Sequence, residues 1–288
     1  MTFEWTQVSP DSLELEGKNV TIVGGTGGLG RALSQFLSSR GAAVTVVGQT
    51  FRDSDKEGIE FVKSDLSSMK ESLRIAKLLP AEKTDILVFT TGIFAAGTRE
   101  ETKEGVERDL AVSYLNRFVM LRELLPRLKS QQFGVKPRIF NMGYPGDGQA
   151  GNVEDFNSEG KYKAMGAHMT TVAANEALVY DVAEKHPEVN IFGLNPGLVK
   201  TNIRNNFLGE NSWKSSIVEF FIGWLSQSPE QYARGIAPLL VTPDIETRSG
   251  AIFNNKGKNI DPSKPLTKEL VEKYAVESAK LANKVLGW

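Results

Sequence analysis

The sequence predicts a single α/β domain, a doubly wound parallel sheet with helices on both faces. Three observations carry that prediction. Short runs rich in Val, Ile and Phe alternate with longer helical stretches along the chain. The apolar runs are nearly continuous, as expected of strands covered on both sides. The first strand runs straight into a glycine turn and a helix, the opening unit of an alternating βα fold.

Taken in order, the expected strands are "NVTIVGG" (Asn19 to Gly25), "AAVTVVGQ" (Ala42 to Gln49), "IEFVKSDL" (Ile59 to Leu66) and "DILVFTTG" (Asp85 to Gly92). They continue with "RIFNMG" (Arg138 to Gly143), "VNIFGLNPG" (Val189 to Gly197) and "SGAIFNN" (Ser249 to Asn255). Between them lie helical stretches such as "GLGRALSQFLSSRG" and "GVERDLAVSYLNRFVMLRELLPRL". The run "GAHMTTVAANEAL", Gly166 to Leu178, reads as the start of an amphipathic helix. In "SQSPEQYARG", Ser228 is a cap and Pro229 sits in the first turn of a helix. The terminal "LTKELVEKYAVESAKLANKVL" is a charged amphipathic helix. Residues 1–17 read as an extension, and residues 18–288 as one domain.

Composition narrows the function. The chain has 288 residues, 40% hydrophobic and 24% charged, which suits a full-sized globular core. Net charge is −1, so no bulk field attracts nucleic acid or an anionic membrane. The absence of cysteine excludes disulfides and thiolate chemistry and suits a reducing compartment. The start, "MTFEWTQVSPD", is no signal peptide, and a cytoplasmic location is expected. The most apolar later run, "SSIVEFFIGWL", is too short for a membrane span and contains Glu219. Two histidines and no cysteine make a metal site unexpected.

The strongest chemical signal is "IVGGTGGLGRAL", Ile22 to Leu33. Gly24, Gly28 and Gly30 permit a tight turn with close backbone approach, and Gly25, Thr26 and Leu29 complete the loop. The helix start that follows offers unpaired N–H groups to a pyrophosphate. A dinucleotide, NAD or NADP, is the expected cofactor, bound in a Rossmann-like crevice.

Here the chain resembles the short-chain dehydrogenase/reductase family from Lys18 onward. The family's T-G-x-x-x-G-x-G falls on Val23 to Gly30, with Val23 replacing threonine. The resemblance places Asp65 and Leu66 of "SDL" at the adenine, and Thr91 and Gly92 of "FTTG" beside the cofactor. In "NPGLVKTNI" it places Pro196, Gly197, Val199 and Thr201 around the nicotinamide carboxamide and phosphates. A fungal branch whose members are assigned as aldehyde reductases shares "GGTGGLGRA", "VTVVGQTFRD" and "FGLNPGLVKTNIRNN". The family's usual self-association, through helices beside the active site, implies a possible homo-oligomer. Nucleotide choice is read after the second strand. Gln49 can hydrogen-bond a ribose hydroxyl, while Arg31 and Arg52 can approach a 2′-phosphate, so NAD and NADP stay open.

The family's Asn, Ser, Tyr and Lys are all missing. Alignment puts Ser113 at the asparagine, Gly143 or Tyr144 at the serine, His168 at the tyrosine and Val172 at the lysine. A free tyrosine has a pKa of about 10 and needs help to work near neutrality, whereas histidine starts near about 6.5. His168 is therefore the first candidate proton donor. Tyr144, just past a strand, is a candidate to orient substrate. Tyr162 in "EGKYKAMG" is a third candidate, its lysine neighbours favouring phenolate. Asn175 can orient a partner or cap a turn, and His186 reads as a surface residue. Residues 202–227, rich in aromatic side chains, correspond to a substrate lid or a packed contact surface. The expected activity is NAD(P)H-dependent reduction of an aldehyde or small ketone. A non-redox isomerase, dehydratase or cyclase, and an inactive nucleotide sensor, are the alternatives.

Overall fold

A computed structural model describes residues 3–129, 135–197 and 227–288. Its centre is an eight-stranded sheet in the order β3-β2-β1-β4-β5-β6-β7-β8. The strands are β1 Asn19–Val23, β2 Ala43–Gly48, β3 Ile59–Lys63 and β4 Ile86–Phe89. They continue with β5 Arg138–Met142, β6 Asn190–Leu194, β7 Ile252–Phe253 and β8 Asn259–Ile260. All neighbours run parallel except β7 and β8, an antiparallel edge pair. The sequence reading missed β8. Two residues, Asn259 and Ile260, carry no periodicity to read.

Helices α1 (Gly28–Ser39) and α6 (Pro229–Val241) pack on one face. The other face carries α2 (Met69–Leu78), α4 (Asn116–Leu124), α5 (Ala164–Lys185) and α7 (Lys268–Leu286). Each face has its own buried apolar cluster, one around Ile22, Val46, Phe140 and Phe192, the other around Leu87, Phe89, Leu115 and Ile139. These residues alternate along the strands, so both sides of the sheet are dry and the near-continuous apolar runs are explained. Capping follows the sequence: the Ser228 side chain accepts from Gln231 N and Gln231 answers, a full capping box before Pro229. Residues 3–15 run back over the body, where Phe3 meets Phe253 edge to face, Trp5 Nε1 donates to Gly257 O, and Leu13 and Leu15 are buried.

Two expectations change. The stretch 105–128 is not one regular helix but α3 (Arg108–Leu110), a π-helical turn (Ala111–Leu115), α4 and a 3₁₀ turn (Leu125–Arg127). The helix read as amphipathic at 166–178 is buried on every side from Thr170 to Val179, because α7 lies across it. Its polar residues point inward and are hydrogen-bonded. Glu176 alone accepts from Gly146 N, Ser263 N, Ser263 Oγ and the Tyr180 hydroxyl. A polar residue in a sequence looks the same whether it meets water or a buried partner.

Candidate active site

Strand order reverses between β1 and β4, so the crevice at their C-terminal ends is the place where this architecture binds ligands. The glycine turn lies there. Gly24 has φ +93°, and a Cβ on it would come within 2.7 Å of Thr91 N and Thr90 Oγ1. A Cβ on Gly30 would strike Thr90 Oγ1 and lie 2.5 Å from the Gly24 carbonyl oxygen. A Cβ on Gly25 would come within 2.7 Å of Val46 Cγ1, and Thr26 fills the space a Cβ on Gly48 would need. Gly27 faces open space and caps α1 without any side-chain bond. No acid stands in the first turn of α1, which begins Gly28, Leu29, Gly30. A helix start with free N–H groups, no competing carboxylate and no Cβ in the way fits a pyrophosphate.

The adenosine side is more occupied than the sequence suggests. Gln49 donates to Asp65 Oδ1 at 3.0 Å, and Asp65 also accepts from Ser67 N and Oγ. Burial pulls the Asp65 pKa up, but these hydrogen bonds outweigh it and hold the carboxyl below its ordinary value. Leu66 beside it is buried. Arg31 is not free to take a phosphate: it forms a two-pronged ion pair with the buried Asp53, at 2.8 and 2.6 Å, which Gln35 joins at 2.7 Å. Arg52 stays exposed and donates to Thr26 O at 3.1 Å, across the glycine turn.

Beyond β4 the character of the crevice changes. His168, in the early turns of α5, contacts Asp109 Oδ2 through Nδ1 at 2.7 Å. Asp109 is fully buried, while the His168 side chain is 16% exposed. A carboxylate can only accept, so Nδ1 carries the proton and Nε2 is left for the site. The Phe94 ring lies against the imidazole, centroids 4.2 Å apart. The second oxygen of Asp109 accepts from Ser113, whose hydroxyl in turn receives Ile93 N at 3.0 Å. Glu107 fixes the start of α3 by accepting from Asp109 N and Leu110 N; burial pushes its pKa up against those bonds.

Deeper in the same region Arg117 is buried completely. Its Nη1 donates to Asn141 Oδ1 (2.8 Å), Met142 O (2.6 Å) and Asn175 Oδ1 (2.9 Å), and its Nη2 to Thr91 O. Burial lowers the guanidinium pKa to about 9, with the Asp109 charge pulling the other way. Asn175 donates to Ser113 O and Thr171 O and accepts from Asn141, so it orients a network rather than capping a turn. The Thr91 hydroxyl is buried without a partner. Gly92 lies against Ser113, a Cβ there meeting Ser113 Oγ at 3.8 Å.

The other candidates separate. Tyr162 is near His168, but its hydroxyl donates to Ala96 O at 3.0 Å. Burial first, then Glu107, Asp109 and Glu100, push its pKa up to about 12, so the expected phenolate is overturned: carboxylates outweigh the lysines beside it in sequence. Tyr144 is half-buried past β5. Val172 is buried, and His186 ends α5 on the surface, 2.8 Å from Glu188. Pro196 and Gly197 continue from β6. Val199, Thr201 and nearly all of the lid at 202–227 lie outside the described residues.

Sequence reasoning missed Asp109, Ser113 as a ligand of it, Arg117 and Phe94. A signal existed: an acid, a hydroxyl and an arginine recur at 109, 113 and 117 inside a stretch otherwise apolar enough to be buried. Among the described residues there is no group of three His, Asp or Glu side chains that could hold a metal ion. No described helix is long and apolar enough to cross a membrane.

Comparison with known proteins agrees with this fold. Residues 18–213 match the short chain dehydrogenase family. An uncharacterized oxidoreductase of Saccharomyces cerevisiae is 48% identical over 291 residues, covering 99% of this chain and 94% of that one. Retinol dehydrogenase 13 of Mus musculus is 23% identical, over 94% and 86% of the two chains. Among solved structures, an uncharacterized protein from Mycobacterium paratuberculosis superposes with a TM-score of 0.67 at 18% identity, over 96% and 98% of the chains. RhlG of Pseudomonas aeruginosa, solved as an NADP active-site complex, gives 0.60 at 20% identity, over 85% and 96%. The chain belongs to the short-chain dehydrogenase family and is an NAD(P)-dependent oxidoreductase.

Proposed function

We propose that the protein reduces an aldehyde or small ketone and that His168 delivers the proton. The observation that carries this reading is the His168 imidazole fastened at Nδ1 to a carboxylate with no exposure, beside the exit of β4. Gly24 to Gly30 and the start of α1 would hold NAD(P)H, which would supply hydride to the carbonyl carbon and become NAD(P)+. With both ring nitrogens protonated, His168 gives the Nε2 proton to the carbonyl oxygen and keeps the one that Nδ1 donates to Asp109, so an alcohol leaves and a neutral ring remains. Partial exposure lets the ring recover a proton from water. Phe94 holds the imidazole plane from one side. Tyr162, with its hydroxyl committed to Ala96 O, walls this region rather than donating a proton.

The substrate is a small-molecule carbonyl compound. A second copy of the chain, if one associates, cannot use the middle of α5, which α7 already covers. The test is nucleotide oxidation: NADH and NADPH are each incubated with a panel of aldehydes and small ketones and followed at the nicotinamide band. Substrate-dependent oxidation is expected with at least one pair. A panel no faster than heat-killed protein removes the proposal.

A further inference from the structure

Asp109, Ser113 and Arg117 recur every four residues, a spacing that drifts around the axis of an ordinary helix. The π-helical turn at Ala111–Leu115 winds more slowly and falls between the first and last of them. All three therefore meet the same face of α5. His168 bonds Asp109, Asn175 bonds the Ser113 carbonyl, and Asn175 also bonds Arg117. A π turn of this kind is often kept for a functional purpose.

We infer that Asp109 is the positioning residue of the site, fixing which ring nitrogen of His168 bears the proton and where the other one points; this rests on His168 being the proton donor proposed above. Both oxygens of Asp109 are spoken for, one by Ser113 and one by His168 Nδ1. Its backbone is pinned as well, through the Glu107 side chain. Ser113 ties the same carboxylate to Ile93, so α3, the loop after β4 and α5 are registered on a single group. A carboxylate with no exposure is costly unless opposite charge and donors surround it. Here Ser113 and His168 donate to it, and the buried Arg117 provides opposite charge further along the stripe. Such an arrangement is excessive for mere packing. It is what a ring needs if it must present one defined nitrogen to a substrate.

The chain has only two histidines, which makes the test clean. In 15N-histidine-labelled protein, with His186→Gln to assign the signals, nitrogen shifts at alkaline pH report the tautomer directly. The wild type is expected to carry its proton on Nδ1. In Asp109→Asn the amide no longer dictates the choice and population moves to Nε2–H. In the same variant kcat is expected to fall at least about 100-fold while the nucleotide Kd is unchanged. An unchanged tautomer in Asp109→Asn, or kcat within threefold of wild type, overturns the inference. Should that variant not fold, the wild type decides alone: a proton on Nε2 overturns the assignment and one on Nδ1 supports it. A tautomer shift in a protein that turns over no carbonyl compound would remove the reductase proposal yet leave the Asp109 assignment standing.

Discussion

The glycine-turn end of the crevice is made of backbone, and the end beyond β4 is made of side chains. At the first, Gly24 and Gly30 let the turn pack tightly against Thr90 and Thr91, Gly27 faces open space, and α1 starts without a side-chain cap. At the second, Asp109, Ser113, Arg117, Asn141, His168 and Asn175 fill the interior with hydrogen-bonded polar groups. Such a turn admits few sequences, because a Cβ on Gly24, Gly25 or Gly30 collides with the protein's own atoms. A side-chain network admits many, provided each buried polar atom finds a partner.

The largest expected effect separates the two ends. His168→Ala should lower kcat/KM by about 100- to 10,000-fold while calorimetry shows the same nucleotide affinity. A variant that kept wild-type kcat/KM would dissolve the distinction. Gly30→Ala should do the reverse, since its Cβ would meet the Gly24 carbonyl oxygen at 2.5 Å, an obstacle that cannot rotate away. We expect a loss of about 1–3 kcal/mol in denaturant melts and no measurable nucleotide heat. Wild-type binding by Gly30→Ala would show that the cradle tolerates a methyl group and is not the pyrophosphate site.

Smaller effects sharpen the adenosine side. The Arg31 ion pair, followed by the Gln35 bond, holds the Asp53 carboxyl below its ordinary range, with burial opposing. A depressed carboxylate stabilises the fold above its unfolded pKa and loses that contribution as pH falls through the folded value. Asp53→Asn should accordingly cost about 1–2 kcal/mol at pH 7, and its melting curve should converge on wild type under acid. A gap that persists unchanged to about pH 2 would assign the loss to something other than the charge. Smallest of all, Arg52→Ala should weaken NADPH binding by less than about fivefold, as expected of an exposed cation, and NADH binding hardly at all. Equal effects on both nucleotides would show that Arg52 does not sense the 2′-phosphate.

What could be read from sequence follows the same division. The glycine turn was legible because a steric requirement has one solution, and it stands in consecutive positions after a strand. The strands were legible because burial on both faces demands unbroken apolar runs. His168 was found through the alignment, but Asp109 was not. Its meaning depends on a partner 59 positions away and on a π turn that no periodicity announces. Arg117 was hidden for a related reason: arginine in a helix is expected at the surface, and only the fold shows four oxygens waiting for it. Glu176, Thr170 and Thr171 misled the reading of α5 by resembling a wet face.

The π turn at Ala111–Leu115 also determines what kind of genetic change this site tolerates. Deleting one residue such as Val112 would let the segment relax into ordinary α-helix. Four α-helical residues sweep about the same angle as five π-helical ones, so Asp109 would stay nearly in phase with Arg117 and keep facing His168. The extra residue is thus one that an indel can remove here with the site still aligned, a class of event that residue-by-residue comparison of relatives passes over.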